Sequence, residues 1–206
     1  MFMKRIFIVI FLFLICLNVY GEELNGYARV IDGDSIEIKG IKIRLYGIDA
    51  PEVKQICKDL NNNDWKCGLE SKARLEKLIS NNIIFCKGDN RDRFNRLIAK
   101  CYYNNIDLQS WLVLNGLATV YSKYSLEYIY EENIAKNNKV GIWGGDFIYP
   151  DKWRSIEREN SRKRKVKDSE SNNCCKICKK GKACGDSCTN ENYNCNKAKG
   201  CACNVK

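Results

Sequence analysis

The 206-residue sequence contains no histidine. Imidazole is therefore missing both as a general base and as a metal ligand, the two tasks for which it is most used near neutral pH. Acid–base or metal chemistry must come from carboxylates, arginines and main-chain carbonyls. Oxygen-only ligation favours calcium or magnesium over zinc or copper. Long apolar runs are scarce as well: the one unbroken run, residues 6–17, is short for a membrane span. The middle of the chain lacks surplus charge. Of the net +10, residues 158–206 supply most, with 13 basic against 5 acidic side chains, and Lys4 and Arg5 supply the rest. The segment 22–157 is balanced at 20 against 20. General attraction to polyanions thus resides near the C-terminus, while the central segment depends on individually placed arginines.

What is present begins with a leader. Lys4 and Arg5 precede the apolar run, and Val19-Tyr20-Gly21 follows it. This reads as a secretory signal over residues 1–21, cleaved after Gly21, with no membrane span expected afterwards. Cys16 is taken as an ordinary residue of the run, because Ile15 before it is bulkier than a lipidation site tolerates. The expected destination is secreted or periplasmic. Of the 13 cysteines, twelve remain after cleavage, and an even number in an exported chain reads as disulfides.

Residues 30–52, VIDGDSIEIKGIKIRLYGIDAPE, concentrate the chemistry. Ile36 and Ile38, then Ile41, Ile43 and Leu45, alternate as in two half-buried strands, with Lys39-Gly40 as the hairpin turn. Strand parity turns Arg44 away from the row formed by Ile43 and Leu45. Asp32 and Asp34 flank Gly33 before the hairpin, and Asp49 and Glu52 follow it across Pro51. A hairpin returns its ends to one place, so the four carboxylates are expected at one end of a sheet, where a cation would relieve their repulsion. An isolated Asp-Gly-Asp is usually only a solvated turn. Arg44 between the acidic pairs, and Pro51-Glu52 directly after Asp49, favour a site.

Asp32-Gly33-Asp34-Ser35, Arg44-Leu45 with Asp49-Ala50-Pro51-Glu52, and Asp92-Arg93-Phe94-Asn95-Arg96 resemble the staphylococcal nuclease (thermonuclease) family. The resemblance runs from about residue 26 to residue 143 with every motif in order. It implies an α+β fold, a five-stranded OB-fold barrel with three helices, and an enzyme that hydrolyses phosphodiester bonds of DNA and RNA with calcium. Asp34, Asp49 and the backbone carbonyl of Ala50 would hold Ca2+, and Asp32 would orient a metal-bound water. Glu52 would orient or deprotonate the attacking water, while Arg44 and Arg96 would clamp the phosphate. Arg93, Phe94, Tyr121 and Tyr124 are candidates to contact sugar and base, with core packing an equal alternative for Phe94 and Tyr121. Two departures stand out: Ala50 replaces a frequent threonine, and Asn95 replaces the usual glycine, in a turn that asparagine should preserve. A different class of reading is an OB barrel that binds single-stranded nucleic acid or another polyanion without cutting it. Degenerate copies of that kind lose the carboxylates and arginines, whereas Asp34, Arg44, Asp49, Glu52 and Arg96 are all present.

Elsewhere the pattern gives a first strand over residues 26–31 and helices over 68–79, from Asp107 to Gly116, and over 125–138. Strands are expected over 83–86 and 97–103, joined by a long polar loop, and Trp143 is expected to cover the core. A Cys57–Cys67 bridge would restrain the polar loop after Glu52, and Cys86 and Cys101 on neighbouring strands are expected to pair. The domains are then 1–21 leader, 22–153 barrel, 154–173 basic flexible linker and 174–206 cysteine-rich tail. The linker's Arg162-Lys163-Arg164-Lys165 could tether nucleic acid, though such runs are more often solvated. Residues 174–203 hold eight cysteines and almost no apolar side chain, so crosslinks or metal must hold them. Their spacing leaves zinc and disulfides open, and export favours four disulfides. The tail resembles cysteine-rich tails of some bacterial secreted nucleases, and it could attach the protein to a surface. The chain is expected to act as a monomer.

Overall fold

The computed structural model describes residues 21–172 and 174–204, so the expected leader falls outside the described residues except for Gly21. Two compact units divide between Asp151 and Lys152. The first is a barrel. Strands β1 (Glu22–Asp32), β2 (Ser35–Ile38) and β3 (Ile41–Leu45) form a meander. The β2–β3 turn has Lys39 at φ 51° and Gly40 at φ 81°, the two positive values that a two-residue hairpin turn matched to strand twist requires. Short strands β4 (Ile48–Asp49), β5 (Cys57–Lys58) and β6 (Asp64–Trp65) follow, then helix α1 (Cys67–Ile79). Strands β7 (Ile83–Arg91) and β8 (Leu97–Tyr103) complete the sheet, with β9 (Ile106–Asp107) at its edge. The decisive pairing is β3 with β8, in parallel, with Ile43, Arg44 and Leu45 opposite Leu97, Ile98 and Ala99. It closes β3-β2-β1-β7-β8 into a five-stranded barrel, the OB architecture that the resemblance implies.

The inward-facing residues of these strands, among them Val30, Ile36, Ile38, Ile43, Leu45, Ile84, Leu97 and Ala99, are buried. Leu75 and Ile79 of α1, and Leu108, Leu112 and Val113 of helix α2 (Leu108–Leu114), close the core. Each such Leu or Ile contributes roughly 1.5–3 kcal/mol on burial. Asp107 caps α2 as expected, accepting from the N–H groups of Gln109 at 2.8 Å and Ser110 at 3.0 Å. Strand β10 (Thr119–Val120) pairs with β4, and helix α3 (Ile129–Asn137) follows. Cys86 and Cys101 face each other across β7 and β8 and are bonded, as are Cys57 and Cys67. Trp143 packs against a small second cluster of Ile142 and the Cys57–Cys67 pair rather than over the main core.

Several boundaries differ from expectation. Strand β1 begins at Glu22 and β7 continues to Arg91, through residues expected as a polar loop. Ladder bonds satisfy that polar backbone, and Lys87–Glu23 and Arg91–Glu22 pair the side chains, each at 2.7 Å. Helix α3 starts at Ile129 rather than residue 125, because Ser125 Oγ accepts from the Glu127 N–H and holds a turn there. A fourth helix, α4 (Pro150–Asn172), takes the place of the flexible linker. Its Lys-, Arg- and Glu-rich sequence has good helix propensity, and Glu159–Lys163 adds an i,i+4 pair at 2.7 Å.

The cysteine-rich tail carries four short strands and four disulfides, Cys174–Cys203, Cys175–Cys201, Cys178–Cys188 and Cys184–Cys195. With every thiol consumed, the zinc alternative has no ligands left. Six disulfides among the described residues fit an oxidising compartment.

Candidate active site

Barrel closure builds the site. Ser35 on β2 lies opposite Arg44 on β3, and β3 runs beside the start of β8, immediately after Arg96. Three segments far apart in sequence therefore meet at one end of the barrel. The first turn is tight: the Asp34 N–H donates to Asp32 Oδ1 at 3.1 Å. A Cβ on Gly33 would lie 2.7 Å from Ala50 Cβ and 2.9 Å from Ser71 Cβ, so this position admits glycine alone.

Asp34 and Asp49 are 3% and 2% exposed, and Arg44 lies between them. Its Nη1 pairs with Asp34 Oδ1, and its Nη2 donates to Asp49 Oδ1 at 2.6 Å and to the Ile48 carbonyl at 3.2 Å. Asp34 also accepts from Ser35 Oγ at 3.0 Å and, through Oδ2, from the Ala50 N–H at 2.9 Å. That last bond sets the Ala50 peptide against the Asp34 carboxylate. Thr119 Oγ1 donates to the Asp49 carbonyl at 3.1 Å, and buried Glu132 accepts from the Val120 N–H at 2.8 Å, which fixes β10 against β4.

Burial pushes the Asp34 carboxyl up to about 6, beyond what the attraction of Arg44 offsets, and Asp32 adds to the rise. Burial works the other way on Arg44, but Asp34 and Asp49 together hold its guanidinium firmly charged. Two buried carboxylates, a third close by and one guanidinium leave the cluster short of positive charge. Its donors are all hard oxygens, the ligand type that suits a hard divalent cation, and Asp34, Asp49 and the Ala50 carbonyl are the groups that could hold one.

Arg96 reaches the same place from the β7–β8 turn. Asp92 shapes that turn by accepting from the N–H groups of Phe94 at 2.9 Å and Arg96 at 3.0 Å, while Asn95 takes φ 62°, as expected for the residue in place of glycine. Burial alone would raise the Asp92 carboxyl, but these bonds and the Arg96 charge outweigh it and hold it low. The Arg96 guanidinium pairs with Asp92 at 2.7 Å and donates to Ser35 Oγ at 3.1 Å. Ser35 thus links Arg96 to Asp34.

A search against protein-family models matches residues 42–145 to the staphylococcal nuclease homologue family. The chain belongs to the staphylococcal nuclease family. Among curated relatives, an uncharacterized endonuclease of Escherichia coli is 30% identical over 162 residues, covering 73% of this chain and 97% of that protein. The succinoglycan biosynthesis protein ExoI of Rhizobium meliloti is 36% identical over 126 residues, 60% of this chain and 66% of its own length. Endonuclease YncB of Bacillus subtilis is 31% identical over 128 residues, 56% of this chain and 59% of its own. The chain therefore spans about two thirds or less of two of these relatives.

Around the nuclease-family cluster, Phe94 is 65% exposed, with the Arg93 guanidinium 4.8 Å and that of Arg96 5.6 Å from its ring centre; it is not a core residue. Tyr121 and Tyr124 contact each other at 4.8 Å, and the Tyr121 N–H donates to the Gly47 carbonyl at 2.9 Å, beside β4. Glu52 sits in the turn after Pro51. Gln55, which the sequence did not single out, is fully buried and ties that turn down. Its side-chain oxygen accepts from the Glu52 N–H, and its Nε2 donates to the Ile148 carbonyl at 2.6 Å. The start of α1 packs so closely on this turn that a Cβ on Gly68 would lie 1.7 Å from the Glu52 carbonyl oxygen. Ser35, Gln55, Thr119 and Glu132 were all missed. Only Ser35 had a sequence signal, its place beside Asp34, since the partners of the others lie on distant segments.

Proposed function

We propose that the chain is an exported, monomeric, calcium-dependent nuclease that hydrolyses phosphodiester bonds of DNA and RNA. The observation that carries this reading is the convergence of Asp34 and Asp49 on Arg44, with Arg96 joined through Ser35. Hydrolysing a phosphodiester needs charge neutralised on the phosphoryl oxygens and a water held in line with the leaving group. Asp34, Asp49 and the Ala50 carbonyl would hold a calcium ion, which would supply part of that neutralisation. Arg44 and Arg96 approach from β3 and β8 and supply the rest, exchanging part of their carboxylate and hydroxyl bonds for bonds to phosphate, which guanidinium geometry suits. Asp32, adjoining Asp34, orients water at the cluster. Glu52 accepts a proton from the attacking water, from a turn that Gln55 keeps fixed.

Phe94 with its two flanking arginines, and the Tyr121–Tyr124 pair, offer ring faces beside the cluster. Stacking accepts any base and suits a substrate range that includes both DNA and RNA. The relatives named endonuclease support the same activity. Purified protein should degrade single-stranded DNA and RNA with calcium and stop when a chelator is added. Equal activity in chelator rejects the calcium assignment.

A further inference from the structure

One peptide in the cluster is gripped from both sides. The Asp49 carbonyl and the Ala50 N–H belong to the same peptide plane. The N–H donates to Asp34 Oδ2 at 2.9 Å, and the carbonyl accepts from Thr119 Oγ1 at 3.1 Å. That plane joins Asp49 to Ala50, so its tilt governs how both stand relative to Asp34. Thr119 is 1% exposed and lies opposite Asp49 on β10. Strands β4 and β10 have two residues each, a ladder too short to hold this geometry alone. Glu132 of α3 supplies the missing support. It accepts from the Val120 N–H at 2.8 Å and pairs with Lys136, whose Nζ lies 4.5 Å from the Trp143 ring centre. A Glu–Lys pair at i,i+4 ordinarily occupies a solvated helix face. Here Glu132 is 5% exposed, and a buried carboxylate is costly unless its oxygens are bonded, as these are.

We infer that Thr119 and Glu132 are positioning residues for the groups that would hold the cation. The Thr119 hydroxyl sets the Asp49–Ala50 peptide, and Glu132 sets Thr119 by fixing the strand that carries it. The inference rests on the calcium-dependent nuclease reading for its choice of ion. Neither side chain is itself among the proposed ligands or phosphate clamps; each acts through its neighbour, as the outer partners of metal ligands do. The chemistry asked of each is narrow. Thr119 must donate one hydroxyl proton, a task that serine can perform and valine cannot. Glu132 must accept one backbone N–H, which the side-chain oxygen of glutamine can also do.

The test titrates calcium chloride into full-length protein by calorimetry, with no nucleic acid present, and measures urea unfolding of the same variants in chelator. Thr119→Val should weaken calcium binding about tenfold or more, while Thr119→Ser stays near wild type. Glu132→Leu should weaken it similarly, and Glu132→Gln should stay near wild type. The double variant Thr119→Val/Glu132→Leu should bind calcium no more weakly than Thr119→Val alone, because both changes act on one peptide; multiplied losses would remove Glu132 from the route. If Glu132→Leu does not fold, the other three single variants decide the matter. A Thr119→Val protein that unfolds more easily but keeps wild-type calcium affinity would reduce the hydroxyl to a structural bond and overturn the proposal. So would a serine variant as impaired as the valine one. A glutamine variant as impaired as a folded leucine variant would overturn the role given to Glu132. A wild-type protein that binds no calcium would overturn the calcium reading itself, whereas calcium binding untouched by Thr119→Val overturns this inference alone.

Discussion

Gln55 and Glu52 hold each other through both ends of the turn between them. The Gln55 side-chain oxygen accepts from the Glu52 N–H at 3.3 Å, and the Gln55 N–H donates to the Glu52 carbonyl at 2.7 Å. Because Gln55 is fully buried and also bonded to the Ile148 carbonyl, the turn has little freedom. Gln55→Leu should cost about 1–3 kcal/mol in stability for the stranded polar groups. It should lower kcat about 10- to 100-fold with little change in KM, the size expected from a misplaced catalytic group. Kinetics of the double variant with Glu52→Gln decide the route: a rate no lower than Glu52→Gln alone shows that Gln55 acts through Glu52, whereas multiplied losses show that it acts elsewhere.

Glu52→Gln keeps the shape of the side chain and removes its basicity. Steady-state turnover of single-stranded DNA with saturating calcium should fall about 100-fold or more. A rate near that of the wild type would take Glu52 out of the proton-accepting role.

Calcium should stabilise the folded chain, because the cluster around Asp34 is short of positive charge and is assembled by folding, with Asp34 set against Ala50 across 16 residues. At a hundredfold excess over Kd the gain is about 2.7 kcal/mol, readable as a rise in Tm. Asp34→Asn should abolish that rise. A calcium-dependent shift that survives in Asp34→Asn would locate the ion elsewhere.

The Cys57–Cys67 disulfide closes a ten-residue separation beside the Glu52 turn, and Cys67 Sγ lies 3.6 Å from the Gln55 carbonyl. Cys57→Ser/Cys67→Ser should lower unfolding stability by about 3 kcal/mol on the chain-entropy estimate. Urea unfolding gives the stability, and the same protein's kcat shows whether the loosened loop displaces Glu52. A loss well under 1 kcal/mol would mean that the Asp59-centred hairpin, with its bonds to Asn61 and Asn63 at 2.8 Å each, already fixes the loop.

Much of this was legible from local pattern. Alternation in residues 36–45 specified the β2–β3 hairpin, because a period of two admits only one face for the core. The Asp107 cap and the Asn95 turn were equally local, each decided by a side chain bonding to, or tolerating, its own stretch of backbone. The cysteine count and the absence of histidine constrained the chemistry without reference to any fold. Lys87 to Arg91 misled, since polar residues read as loop although ladder bonds and cross-strand ion pairs support a strand there. The basic run after Trp153 misled for the opposite reason: the same lysines and arginines that mark a solvated linker are good helix formers, and their spacing against Glu157 and Glu159 favours the helix.

The sequence by itself determined which groups are available: four carboxylates and an arginine near one hairpin, a second arginine in a turn, and 13 cysteines, twelve of them beyond residue 21. Only the tertiary structure decided which of them meet. Closure of β3 on β8 brings Arg96 to Ser35 across 61 residues of sequence, and Gln55 reaches Ile148 across 93. Such contacts are set by the packing of whole strands around a common core, and no local periodicity records them.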